Sequence, residues 1–372
     1  MRLSRSQKVD WLRLIRAENV GPTTFRSLLN HYGSASAALQ ALPEMARRGG
    51  GQRALRIPTQ AEAEAEYDRT LAAGARIVAL GEEDFPPRLR DIPTAPPIVA
   101  VRGGADVLRR PAVAIVGSRN ASIPGLKMAE RIARGLGDRG YVAVSGLARG
   151  IDAAAHRASL DTGTVAVVAG GIDHLYPEEH ATLRDEILEK GGAIVSEMPF
   201  GWVPRAQDFP RRNRIVSGMS LGVVVVEATA KSGTLHTVRF ALEQGRDVFA
   251  VPGSPLDPRA EGTNRLIRDG ARLVTSAADV AEELEPLRAR VPDAFSWSDG
   301  LSDPDEDGAD PDQVDDAVRA LVLSALGPVP TAVDDIVLHT GLKSRVVSIA
   351  LVELTLAGRL ERHSNQLVSL LR

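Results

Sequence analysis

The sequence contains no cysteine. That excludes disulfides, thiolate metal sites and a cysteine nucleophile. Aromatic residues make up 4% of 372 positions, too few for a long stacking platform. Lysine is scarce, 5 against 40 arginines. So broad a bias reflects base composition as much as function, and no single arginine carries weight alone. No apolar run approaches the ~20 residues that span a bilayer. The first nineteen residues lack the unbroken apolar core of a secretory signal. The expectation is a cytoplasmic protein with no membrane contact.

Catalytic signatures are also missing. The seven histidines are scattered, without His-Glu-x-x-His spacing. There is no Gly-x-Ser-x-Gly elbow and no Gly-x-x-x-x-Gly-Lys-Ser/Thr phosphate loop. No pair of acids has a spacing diagnostic of acid/base work. The chain reads as a binder rather than an enzyme, and no cofactor or metal is expected.

What is present is unevenly charged. Residues 281–320 carry 13 acidic and 3 basic side chains, a net of −10 within an overall −3, which leaves +7 for the other 332 residues. The distribution therefore permits a nucleic-acid partner that the overall charge disfavours.

Residues 1–75 read as a small helical domain. Its turn at Asn19–Thr24 is of the helix-hairpin-helix or SAM kind, whose amides can hold a phosphate; a packing role is the alternative. From 111 to 284, short apolar runs alternate with helical stretches. The runs are Ala112–Val116, Tyr141–Val144, Thr164–Ala169, Ala193–Val195, Val223–Val226, Asp247–Val251 and Arg272–Val274. Apolar runs without alternation suit strands covered on both faces. The βα order implies a Rossmann-like, doubly wound, mainly parallel sheet. Ile77–Leu80 and Ile98–Val101 extend it, so this α/β domain spans 76–285. Residues 286–312 are acidic and rich in turn formers, and are expected to be a disordered linker. Residues 313–372 order as helix, helix, helix, hairpin, the pattern of a winged helix. Thr331 is expected to cap its second helix, and Lys343-Ser344-Arg345 opens its third.

One block dominates the rest: Asp208-Phe209-Pro210-Arg211-Arg212-Asn213-Arg214. Pro210 suits a first helical turn, which puts Arg211 and Arg214 on one face. Guanidinium groups fork onto phosphates, and Phe209 offers a stacking face. A solvated basic face on an ordinary helix is the alternative. Four further loops follow strand ends. Gly117-Ser118-Arg119-Asn120 combines a small turn with a cation. Ser145–Asp152 brackets Arg149 between Gly146 and Gly150, with Asp152 at a helix start. Gly170–Pro177 brings His174 and Tyr176 either to a ligand or into loop packing. Lys231-Ser232-Gly233-Thr234 makes an anion site at a helix N-terminus. Together with Phe209, Arg211, Arg212, Asn213 and Arg214, the site is expected to use Ser118, Arg119, Gly146, Arg149, Lys231, Ser232, Gly233 and Thr234, and the family resemblance described below adds Arg205. No acid follows the second strand to hold a ribose, which argues against NAD.

These ordered motifs resemble the DNA-processing protein A family, also called Smf. The resemblance rests on Ala114–Arg119, Ser145–His156, Gly170–Asp173, Tyr176-Pro177, Ser196-Glu197, Phe209–Ile215, Glu227-Ala228, Ser232–Thr234, Pro252-Gly253 and Gly262–Asn264, across about residues 80–280. It implies a sequence-independent, single-stranded DNA-binding recombination mediator. Such a protein loads RecA on incoming strands during natural transformation, helps it past single-strand-binding protein, and forms a homodimer through the Rossmann-like domain. By similarity, Ser118, Arg119, Gly146, Phe209, Arg211, Asn213, Arg214, Lys231, Ser232 and Gly233 would line the DNA pocket. Family members often place a lysine shortly before the aromatic; here Arg205 and then Ala206 stand there.

Two rivals stay open. One is a nucleotide phosphoribohydrolase-like enzyme, although Leu235, His236 and Thr237 replace the acids expected after the threonine. The other is a duplex-DNA regulator that reads through the winged helix; a third possibility is a winged helix that binds a partner protein, or another copy of this chain, and no DNA.

Overall fold

The β-branched runs pair into one nine-stranded sheet in the computed structural model, which describes residues 2–288, 314–363 and 366–371. The strands are β1 (Ala75–Ala79), β2 (Ile98–Gly103), β3 (Ala112–Val116), β4 (Val142–Ser145), β5 (Thr164–Val167), β6 (Ala193–Ser196), β7 (Gly222–Val225), β8 (Asp247–Ala250) and β9 (Arg272–Leu273). Their order is β1-β2-β6-β5-β4-β3-β7-β8-β9. Every pairing from β6 to β9 is parallel, and β1 and β2 add antiparallel at one edge. The doubly wound α/β expectation is met.

The winding order positions the site. From β3 the chain steps outward through β4, β5 and β6, then returns to the other side of β3 with β7. Chains leaving the C-terminal ends of β3 and β7 diverge, which opens a crevice at this switch point. The central strands β3 to β7 are buried along their whole length. The Ile123–Gly137 helix presents Ile132, Ala133 and Leu136 to Val113, Ile115, Val224 and Phe249. Removing a large side chain from such a core costs about 2–5 kcal/mol.

The chain divides into two compact units, and the sheet belongs to the one that holds the described residues from Glu66 to Arg288. The other unit joins Leu3–Ala65 to the described residues from Val314 onward. Its first part holds the Arg5–Arg16, Pro22–Tyr32 and Ala35–Arg48 helices. Ser4 and Gln7 close a capping box on the first, and Ser34 caps the third. Its second part is a winged helix: helices Asp316–Ser324, Val333–Thr340 and Ser344–Leu356, then β10 (Thr331–Ala332), β11 (Leu360–Arg362) and β12 (Leu367–Leu370) in the order β10-β12-β11. Gly341, at φ 65°, ends the second helix in the left-handed conformation that glycine tolerates. Thr331 is not that helix's cap. It pairs with Val368 in β10, and the helix starts at Val333. The Ala277–Arg288 helix runs through residues 286–288, and residues 289–312, the rest of the expected linker, lie outside the described residues, as does residue 313.

Candidate nucleic-acid interface

Three loops interlock at the switch point. After β3, the backbone turns so tightly at Gly117 that a Cβ there would strike Ile151 and the Glu227 carbonyl. Gly150, at φ 71°, backs onto the Ser118 carbonyl, which accepts the Ile151 N–H at 3.2 Å. From the loop after β7, Thr234 donates its hydroxyl to the Gly117 carbonyl at 3.0 Å. Ser232 Oγ accepts the Thr234 N–H at 3.2 Å. These contacts hold Ser118, Arg119, Ser232 and Gly233 along the rim of a cleft of about 790 Å³.

The Asp208–Gly218 helix forms the facing wall. Asp208 anchors the segment before it: one carboxylate oxygen accepts from Trp202 Nε1 at 2.9 Å and from the Arg205 N–H at 2.8 Å. Arg205 thereby lies over the Trp202 ring at 4.6 Å. Phe209 is the aromatic hub of the cleft. Arg119 sits over its ring at 5.4 Å, and Tyr176 meets it edge-on with centroids 5.4 Å apart. Tyr176 is 54% exposed, so a ring face remains open to a planar ligand.

The expected site residues separate by burial. Arg119, Arg205, Arg211 and Lys231 are exposed, and Gly146, Phe209, Asn213, Ser118, Ser232, Gly233 and Thr234 line the cleft with Arg119. Arg149 is exposed but forks onto Glu179 at 2.6 and 2.8 Å. Arg212 and Arg214, which the sequence alone assigns to DNA contact, give their guanidinium groups to protein acceptors. Arg212 is 6% exposed and donates to the Val167 carbonyl at 2.6 Å. Burial lowers its pKa to about 10, opposed by the nearby Asp152 charge. Arg214 donates to the Thr94 carbonyl at 2.5 Å and pairs with buried Glu197. Arg211 and Arg214 do share a helix, but only Arg211 faces outward.

Beneath the cleft lies a buried polar layer. Asp152 accepts the Gly146 and Ala148 N–H groups at 3.1 and 3.2 Å, so it shapes the loop after β4 as well as starting its own helix. Burial raises its pKa, opposed by Arg212 and the two amides. His156 bonds Thr164 through Nδ1 at 2.7 Å. Burial pushes its pKa down to about 3, aided by the Arg212 charge, so the ring is neutral at pH 7. Asp208 and Asp152 organise the site without being legible as site residues, because both resemble ordinary helix-start acids.

The described residues contain no cluster suited to a metal ion and no helix long and apolar enough to cross a membrane. Residues 76–285 match the family model of DNA recombination-mediator protein A. The chain belongs to the DprA family. Residues 5–68 match the DprA-like N-terminal HHH domain, and 306–366 the DprA winged helix domain. Protein Smf of Escherichia coli is 40% identical over 285 residues, 76% of this chain and 74% of that protein. DNA processing protein DprA of Streptococcus pneumoniae is 45% identical over 206 residues, 55% of this chain and 72% of that one. The crystal structure of the S. pneumoniae DprA covers 76% of this chain and 99% of its own, at TM-score 0.61 and 35% identity. A Helicobacter pylori DprA structure that concerns single-stranded DNA binding covers 57% of this chain and 96% of its own, at TM-score 0.52 and 27% identity. The DprA assignment thus reaches all three sequence regions.

Proposed function

We propose that the switch-point cleft binds single-stranded DNA without regard to sequence, and that the protein acts as a recombination mediator. The observation that carries this reading is the arrangement of Arg119 and Tyr176 around Phe209, on a rim of small residues. Cations and amides engage phosphates that every strand has, and aromatic faces stack on any base. The H. pylori relative, studied for single-stranded DNA binding, supports the same ligand.

In this reading Arg119, Arg205, Arg211 and Lys231 contact phosphates, and Ser118, Asn213, Ser232, Gly233 and Thr234 supply polar contacts. Arg212, Arg214 and Gly146 position the cleft walls. Arg149 joins only if a phosphate displaces Glu179. Family membership further supports RecA loading on incoming single strands in natural transformation, passage over single-strand-binding protein, and a homodimer through the Rossmann-like domain, all in the cytoplasm. We read the protein as a binder and not an enzyme, since Leu235, His236 and Thr237 offer no acid beside the anion loop. RecA-driven strand exchange on strands coated with single-strand-binding protein tests the mediator role. Stimulation by the protein, lost in Arg119→Ala, is expected; no stimulation at any ratio would refute it.

A further inference from the structure

The third helix of the winged helix, Ser344–Leu356, is covered on two sides. One side packs inside its own domain, where Val347, Ala350, Leu351 and Leu354 join Val322, Ile336 and Val368 in the core. Val352 and Leu356 lie outside that core, yet they are 3% and 1% exposed. The helix packs there against the Pro22–Tyr32 and Ala35–Arg48 helices. The fit leaves no space at Gly49, where a Cβ would overlap the Glu353 carbonyl. Asn19 donates its amide to the Leu356 carbonyl at 3.1 Å, satisfying a helix C-terminal acceptor. Arg359 returns a bond to the Gly49 carbonyl at 3.4 Å.

We propose that this winged helix docks the chain's own N-terminal helical domain and does not read duplex DNA. A major groove about 12 Å wide admits one helix of about 10–12 Å diameter. A third helix already sheathed by two others over its second half cannot lie along that groove. Its first turn stays open, but Lys343 and Arg345 offer only two cations to a phosphate backbone. The N-terminal domain takes the face that a duplex would need, and it ties the two ends of the chain together. The proposal stands apart from the cleft reading.

The test uses the full-length protein with a protease site inserted between Arg288 and Val314. After cleavage, the winged-helix fragment is expected to co-elute with the rest of the chain on gel filtration. Gly49→Ala is expected to release it. Gly49 has φ −68°, a conformation open to any residue, so the substitution acts at the interface and not on the local backbone. Asn19→Ala, which removes one bond, is expected to give partial release. Elution of the wild-type fragment alone would overturn the proposal. So would hydrogen-exchange protection of Ser344–Leu356 by an added duplex in the uncut protein.

Discussion

Arg212 occupies the space that a side chain at position 146 would need. Its guanidinium lies where a Cβ on Gly146 would sit, and it is tied to the Val167 carbonyl at 2.6 Å. The arginine therefore joins the end of β5 to the loop after β4 and sets the floor of the cleft. Gly146→Ala is expected to force it aside, at an overpacking cost of about 1–3 kcal/mol. Urea denaturation should show a lower midpoint, together with weaker single-strand binding. An unchanged midpoint would mean that Arg212 holds nothing in place.

Arg211 and Arg214 lie one turn apart and differ in kind. Arg211 is 51% exposed and reaches Glu197 only at 3.9 Å, whereas Arg214 is 8% exposed and bonds the same carboxylate, itself 7% exposed. Arg211→Ala is expected to change stability by less than about 0.5 kcal/mol. It should also lower the slope of log affinity against log salt by roughly one phosphate's worth. Arg214→Ala removes a charged partner of a buried carboxylate and should cost about 3 kcal/mol or more. Paired denaturation and salt-titration curves separate the two roles, and equal destabilisation by both would contradict this division.

The aromatic contacts give a separate signature. Phe209→Leu keeps most of the volume and removes the stacking face. The loss of single-strand affinity should be about 1–3 kcal/mol per stacked base. Tyr176→Ala should weaken binding in the same direction with little effect on folding, because its ring is 54% exposed. Anisotropy with a homopolymeric strand measures both, and full affinity in the double variant would place the bases elsewhere.

His156 sets an acid-side limit on stability. Its folded pKa, about 3, lies below the unfolded value near 6.5. The unfolded chain therefore binds a proton first as pH falls. The contribution is complete above about pH 6.5 and is lost as pH falls toward 3, by at most about 1.4 kcal/mol per unit. Denaturation midpoints at pH 7 and pH 5 should differ, and His156→Gln should flatten that difference. An identical pH slope in the variant would assign acid sensitivity to other groups.

Much of this was legible in the sequence because the signals were local. Unbroken apolar runs such as Ala112–Val116 mark buried parallel strands, and the βα alternation leads to the switch point. Phe209 and Arg119 stand out through composition and position. Burial did not read out, because arginines three residues apart look alike until a carbonyl or a carboxylate lies behind one of them. Val167, Thr94 and Glu197, which receive Arg212 and Arg214, come from distant strands and loops. Asn19 and Leu356 are likewise 337 residues apart, so no local pattern announces the union of the chain's two ends.

The central claim is that the cleft prefers single strands. Fluorescence anisotropy of labelled single-stranded and duplex oligonucleotides of equal length, across a salt series, tests it most directly. The account predicts tight, salt-sensitive binding of the single strand, weaker binding of the duplex, and loss of the difference in Arg119→Ala combined with Phe209→Leu. Equal affinity for both forms, or a preference that survives the double substitution, would contradict it.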